Sequence, residues 1–277
     1  HPMREIVEQM APQALDPTAH TTPDFTRTIY TQTELDTSLS TGKWVKFIPG
    51  TDSNLTIGHG LAHVHGPGTL TAITGGTVTT NGDTHITTVT DGAIYAREQA
   101  TITTITSGTV YAHAQATIEE VTGGYVEARE QTTITTVTSG TIEARGEATI
   151  TTVTGGDVYA MGQVTITTVT DGNVRAYDQA TIEEVTGGNV TARDQTTITT
   201  ITGGTIEATD NATITATGGD AHIVARDNAH VIIEASADGV RVDAYDAAHI
   251  TADNGTITLH SPDVTVTSNG DAVINHA

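Results

Sequence analysis

Isoleucine returns every sixteen residues along most of this chain, at Ile86, Ile102, Ile118, Ile134, Ile150, Ile166, Ile182, Ile198 and Ile214. Eight residues out of phase runs a second apolar column: Val78, Ile94, Val110, Val126, Ile142, Val158, Val174, Val190 and Ile206. Glycine keeps step at Gly92, Gly108, Gly124, Gly140, Gly156, Gly172, Gly188 and Gly204. Self-similarity at a fixed period means stacked units, each too small to bury its own apolar face. The apolar side chains of one such unit offset less than the entropy of ordering its backbone, so no unit folds alone. The fold class that follows is all-β: a single-stranded parallel β-solenoid with sixteen residues per coil.

One coil shows how the pattern works. In Ala148-Thr149-Ile150-Thr151-Thr152-Val153-Thr154-Gly155-Gly156-Asp157-Val158-Tyr159-Ala160-Met161-Gly162-Gln163, strand alternation turns Ala148, Ile150, Val153, Val158 and Ala160 inward. Thr149, Thr151 and Thr154 then face out on one wall, and Asp157, Tyr159 and Met161 on the other. The glycine pair makes a tight corner, where glycine tolerates positive φ. The opposite corner ends in glutamine at Gln99, Gln115, Gln131, Gln163, Gln179 and Gln195, which suggests an amide ladder along the axis. Residues 116–136 recur nearly verbatim at 180–200. That shift of four coils reads as a duplicated block.

The repeat divides the chain into 1–60, an N-terminal segment and cap; 61–211, the regular solenoid; and 212–277, less regular coils with a C-terminal cap. Residues 4–15 carry helical apolar spacing, and 16–30, with Pro17 and Pro23, read as an irregular linker. Thr33 and Asp36 suggest a capping box for a short helix with Leu35 and Leu39 on one stripe, stopped near Gly42. Trp44, Val45, Phe47 and Ile48 read as a strand ended by Pro49-Gly50. This helix plus strand is expected to cover the open first coil by packing Trp44 or Phe47 onto it, because an unpaired edge invites aggregation. Thr33 through Ile57 also resembles the opening of pectate-lyase-like and phage-tailspike-like parallel β-helices. After residue 212 one residue is lost near Ile214-Thr215-Ala216. Ile223, Val231, Val242 and Ile250 continue the pattern, with His222, His230 and His249 in strand positions that threonine holds elsewhere.

Net charge is −22. Such acidity keeps a β-rich body in solution and opposes nucleic acid as a direct ligand. There is no cysteine, so disulfides play no part. No apolar run reaches transmembrane length, and no membrane partner is expected. The residues after Met3 lack the apolar stretch of a signal peptide, so synthesis in the cytoplasm is expected.

The repeat leaves two candidate surfaces. Thr101/Thr103, Thr133/Thr135, Thr149/Thr151, Thr165/Thr167 and Thr197/Thr199 each form Thr-x-Thr on one strand. They resemble the threonine arrays of ice-binding β-solenoids and the period of bacterial ice-nucleation proteins, although Glu119 and Glu183 interrupt the array. The same threonines also simply suit an exposed strand. The other surface is more varied. Tyr95, Tyr111, Glu127, Glu143, Tyr159 and Arg175 form one column, with Arg97, His113, Arg129, Arg145 and Arg193 beside it and Tyr125 and Tyr177 nearby. Aromatic and arginine side chains on a rigid sheet suit contact with a protein or a glycan. Alternatively, Glu127, Arg129, Glu143 and Arg145 form a ladder that relieves like-charge stacking, worth little per pair.

Catalytic groups are not evident. Glu120 and Glu184 sit four coils apart, about 19 Å at the strand spacing, whereas a glycosidase pair needs roughly 5–9.5 Å. Neighbouring Glu119 and Glu120 should diverge. No nucleophile elbow, phosphate loop or metalloprotease motif occurs. His59, His63 and His65 include a His-x-His pair able to approach a metal, yet no third ligand lies near in sequence. No enzyme activity, cofactor or metal is expected.

The octads Ala-Tyr-Asp-Gln-Ala-Thr-Ile (176–182) and Ala-Tyr-Asp-Ala-Ala-His-Ile (244–250) resemble the octapeptide-repeat proteins of actinobacterial phages and prophages. That resemblance implies a structural or host-contacting role in a phage particle or surface assembly, with a protein or glycan partner and self-association left open. Ice binding through the threonine face is the alternative, and a polysaccharide-degrading β-helix enzyme comes third.

Overall fold

Every strand pairing among the described residues is parallel. In the computed structural model the described residues are 27–50 and 53–277, and they form 26 strands and one helix. The helical reading of 4–15 and most of the linker lie outside them. From Gly68 to Thr213 the ladder steps by sixteen residues: Ile134 lies beside Ile150, Ile150 beside Ile166, and Val158 beside Val174. The chain is a parallel β-solenoid.

Two ladders run along it. One carries Ile86, Ile102 and Ile118, the other Ile94, Val110 and Val126. The sequence suggests two facing sheets. Instead, strands such as Gly68–Asn81 and Thr149–Gly162 pass through the glycine corner unbroken and join both ladders into one wound sheet. The interior is as alternation predicts: Ala148, Ile150, Val153, Val158 and Ala160 are buried. Thr132 takes an inward alanine position, and its hydroxyl donates to the carbonyls of Ala112 (3.1 Å) and Arg129 (2.7 Å). Those bonds satisfy a hydroxyl that burial would otherwise strand.

The two corners work differently. At the glycine corner Gly140 has φ +92°, and a Cβ there would lie 2.8 Å from the carbonyl oxygen of Gly124 one coil below. Both the dihedral and the close stacking demand glycine. At the other corner a tight turn closes with the N–H of Ala100 donating to the carbonyl of Arg97 (3.3 Å), and likewise Ala116 to His113 and Ala180 to Tyr177. The left-handed residue of this turn is Glu98, Ala114, Glu130, Asp178, Asp194, Asp210, Asp227 or Asp246, or else Gly82, Gly146 or Gly162. This position, not the glutamine after it, defines the corner. The expected amide ladder shrinks to one contact, Gln163 to Gln179 at 3.4 Å. What stacks the corner is backbone N–H of the glutamines, as from Gln195 to the carbonyl of Asp178 (2.8 Å), and carboxylates reaching back to the previous coil. A main-chain amide is fixed in place, whereas an exposed side-chain amide must lose rotamer freedom to join a ladder.

The N-terminal closure departs in detail from expectation. Arg27–Ile29 (β1), expected as linker, is a strand paired with Trp44–Pro49 (β2). The helix α1, Gln32–Leu39, is capped by Thr31, whose hydroxyl accepts from the Glu34 N–H, so the cap begins two residues before Thr33. Leu35 and Leu39 are buried beneath it. Gln32 completes the closure. Its amide donates to the carbonyl of Thr56 (2.7 Å) and accepts from the Thr56 N–H (2.8 Å), standing in for the missing strand beside Leu55–Ile57 (β3). Phe47 is buried in the core, as predicted for the cap, but Trp44 faces outward and stacks on His63 at 4.1 Å.

Beyond residue 212 the coil length varies. The step from Thr205 to His222 is 17 residues, from His222 to Arg241 it is 19, and from Arg241 to Thr256 it is 15. The lost residue is visible where Ile198 pairs Ile214 but Ile201 pairs Ala216. Core continuity is kept through Ile223, Val231, Val242 and Ile250, with the extra residues placed in turns. The last described strand, Val273–His276, is exposed throughout.

Candidate functional site

Strand alternation on the second ladder sends three columns of side chains outward between residues 93 and 177. The middle column is continuous: Tyr95, Tyr111, Glu127, Glu143, Tyr159 and Arg175 sit one above the next in register. Tyr125 stands in the column before it, beside Thr109 and Thr141. Tyr177 belongs to the column after it, beside Met161. All the residues of this surface singled out from sequence therefore share one face.

Their contacts fix them. The rings of Tyr95 and Tyr111 stack 5.0 Å apart with a 14° tilt, within the range of offset aromatic pairs. Glu127 and Glu143, expected as exposed ladder residues, are only 7% and 8% exposed. Each carboxylate pairs with the arginine two residues on in its own coil, Glu127 with Arg129 and Glu143 with Arg145 at 2.9 Å; Arg145 also approaches Glu127 at 3.9 Å. Tyr159 donates its ring face to Arg175, whose guanidinium carbon lies 5.2 Å from the ring centre, and its hydroxyl accepts from Arg175 Nη1 at 3.2 Å.

Burial and the two glutamates raise the Tyr125 hydroxyl well above the usual phenol range. Burial, then Tyr95 and Glu127, raises Tyr111 as well. His113 is lowered by burial, then by Arg129 and Arg97. At neutral pH the face therefore presents neutral phenols, a neutral imidazole and arginines held by buried carboxylates. Such a surface offers donors and ring faces whose positions are already set.

Beside this face a groove of about 1030 Å³ runs over the left-handed corner, lined by residues including Glu98, Gln99, Gln115, Arg129, Gln131 and Arg145. Its hollow arises because Gly82, Ala114 and Gly146 put little or no side chain at the turn. Glu130 leans across the gap at Ala114 and accepts from its N–H at 2.9 Å.

The threonine surface is less flat than the sequence suggests. Thr151 and Thr152 both lie outside, between buried Ile150 and Val153. The ladder holds Ile134 beside Ile150 and Thr136 beside Thr152 but is interrupted at Thr135 and Thr151. The same break recurs at Thr103, Thr167 and Thr199. The second threonine of each Thr-x-Thr thus marks a bend, legible in the three-residue spacing of Ile150 and Val153. Thr101, Thr133, Thr149, Thr165 and Thr197 do stack in one straight column. Glu120 and Glu184 take the positions of Thr104 and Thr168 in neighbouring coils.

The His63 and His65 rings lie 6.4 Å apart, and burial, followed by neighbouring cationic groups, lowers both pKa values. Among the described residues no three His, Cys, Asp or Glu side chains are grouped to hold a metal. A cluster that sequence reading missed lies near the C-terminus. Asp243 accepts from His222 Nε2 (2.8 Å) and His260 Nε2 (3.0 Å), and Tyr245 is sandwiched by His260 and Arg226. Variable coil lengths bring these residues together, so no fixed period announces them. Compared with protein-family models, curated proteins and solved structures, the chain matches none.

Proposed function

We propose that this protein is a non-enzymatic recognition scaffold whose Tyr/Glu/Arg face contacts a protein or glycan partner in a phage particle or related surface assembly. The observation that carries this reading is preorganisation. Glu127 and Glu143 are buried within an outward face and hold Arg129 and Arg145, while Tyr95 stacks on Tyr111 and Arg175 on Tyr159. Side chains already ordered lose little freedom on binding, and tyrosine and arginine are the types that anchor interfaces. The face also changes identity from coil to coil, as discrimination between partners requires, while the threonine wall mostly repeats one small side chain, with glutamate at 119, 120, 183 and 184. The four-coil duplication sharpens the contrast. The two copies differ mainly on this face, at Tyr125 against Asn189 and Glu127 against Thr191, with one further difference, Glu130 against Asp194, at the left-handed corner.

The test is binding of the labelled protein to intact actinobacterial cells and to their isolated envelope fractions. Tyr95→Ala/Tyr111→Ala should weaken binding about 30-fold, as loss of an interface anchor does, while Thr101→Ala/Thr103→Ala should leave it unchanged. If only the threonine pair matters, or if the unmodified protein shows thermal hysteresis in cold solution, ice binding replaces this reading. Release of reducing sugar from envelope polysaccharide would replace it with an enzyme.

A further inference from the structure

We infer that the corner groove beside the Tyr/Glu/Arg face is a second binding site, and that it takes an uncharged oligosaccharide chain lying along the solenoid axis. The inference rests on the protein being a recognition scaffold; the groove shares Arg129 and Arg145 with the tyrosine face and is otherwise built from different residues. The groove spans the turns at Gly82, Glu98, Ala114, Glu130 and Gly146. These are five successive coils, or about 19 Å at the strand spacing. That length suits a chain of several sugars rather than a single one.

Its shape comes from an alternation in the left-handed position. Small residues at 82, 114 and 146 alternate with glutamates at 98 and 130. The floor therefore rises and falls once every two coils. Each glutamate accompanies the neighbouring hollow: Glu130 is bonded to the Ala114 N–H, and Glu98 Oε2 comes within 3.8 Å of where a Cβ on Gly82 would stand. Farther along, Asp178, Asp194, Asp210, Asp227 and Asp246 fill the same position in every coil, and the groove does not extend over them.

The lining selects the ligand class. Gln99 and Gln115 project from the residue after the left-handed one, and their side-chain amides have no hydrogen-bond partner among the described residues. Gln131 spends one donor on Glu147 at 3.3 Å and keeps its carbonyl. On the opposite flank, Arg129 and Arg145 are charge-balanced by Glu127 and Glu143 behind them. What remains is a row of neutral amides, the carboxylates Glu98, Glu130 and Glu147, and two compensated guanidiniums.

Hydroxyl groups, which both donate and accept, match this mixture. An anionic glycan or nucleic acid would face three carboxylates on a chain of net charge −22. A cationic peptide would be drawn to the carboxylates Glu98, Glu130 and Glu147, so polylysine is the competing class that the titration must separate from neutral sugars. The lining has no aromatic ring, which leaves an apolar ligand without a platform.

The experiment titrates the whole protein with neutral gluco-, manno- and N-acetylglucosamine oligomers, with oligogalacturonate, and with polylysine. Two groove variants accompany it. Gln99→Ala/Gln115→Ala/Gln131→Ala removes the amides. Ala114→Glu fills the floor with the residue that the same turn already carries at 98 and 130, so the fold tolerates it. At least one neutral oligomer should bind, with both variants at least about tenfold weaker and Thr149→Ala/Thr151→Ala, on the threonine wall, unchanged. Failure of every neutral oligomer to bind protein with an unaltered melting curve overturns the groove assignment. So does tighter binding of oligogalacturonate or polylysine, or a neutral ligand indifferent to both groove variants. Binding lost only in Tyr95→Ala/Tyr111→Ala would sink the groove and leave the scaffold reading of the face standing.

Discussion

Replacing Ile150 tests the architecture at the point where the whole fold depends on it. Ile150 is fully buried and sits between Ile134 and Ile166 in the ladder. Truncation to alanine removes three carbon groups, about 2.4 kcal/mol at 0.8 kcal/mol each. The coils on either side are held by backbone bonds at fixed spacing and cannot collapse inward, so a cavity cost adds to this, giving about 3–4 kcal/mol in all. Ile150→Asp should cost more, because a carboxylate there has only apolar neighbours. Thr151→Asp, one residue along, faces water and should change stability by less than about 0.5 kcal/mol. Urea unfolding followed by far-ultraviolet circular dichroism measures all three. Equal stability of Ile150→Asp and Thr151→Asp would invert the inside and outside of the coil and refute the reasoning.

The remaining predictions concern the cap, the corners and pH. Gln32→Met keeps the size of the side chain but removes both bonds to Thr56; it should lower stability by about 2 kcal/mol and raise light scattering on storage, as the Leu55–Ile57 edge opens. Gly140→Ala should destabilise by more than about 2 kcal/mol, since its Cβ would strike the Gly124 carbonyl. Gly146→Ala should cost only about 1 kcal/mol, because its nearest neighbour would be 3.6 Å away and Ala114 already occupies the equivalent turn; equal losses in melts of the two would show that stacking contact is irrelevant. His63, His65 and His113 have folded pKa values below the unfolded one of about 6.5. Their contribution is therefore complete above that pH and lost as pH falls through the lowered values. Melting temperature should drop between about pH 7 and 5, and His63→Asn/His113→Asn should flatten that slope.

Much of the molecule was written in periodicity. A side chain that must point inward once per coil repeats in every coil, so Ile150, Val158 and their columns announced the solenoid, its step and its inward faces. The left-handed corner was also legible, although less loudly: aspartate and glycine exchange at 162, 178 and 194 because both tolerate positive φ. The outward face was placed correctly as columns, since register follows from the repeat.

Tertiary structure decided everything that depends on distance between side chains. No period reveals that Glu127 and Glu143 are covered by their neighbours, that Gln32 bonds a backbone 24 residues away, or that Ala114 and Gly146 leave a groove. Nor does it reveal that coils of unequal length bring His222, Asp243 and His260 together. The sequence by itself determined the inside of this protein, because burial in a stack imposes the same demand on every coil. The outside was left to the folded chain, because there each coil is free to differ.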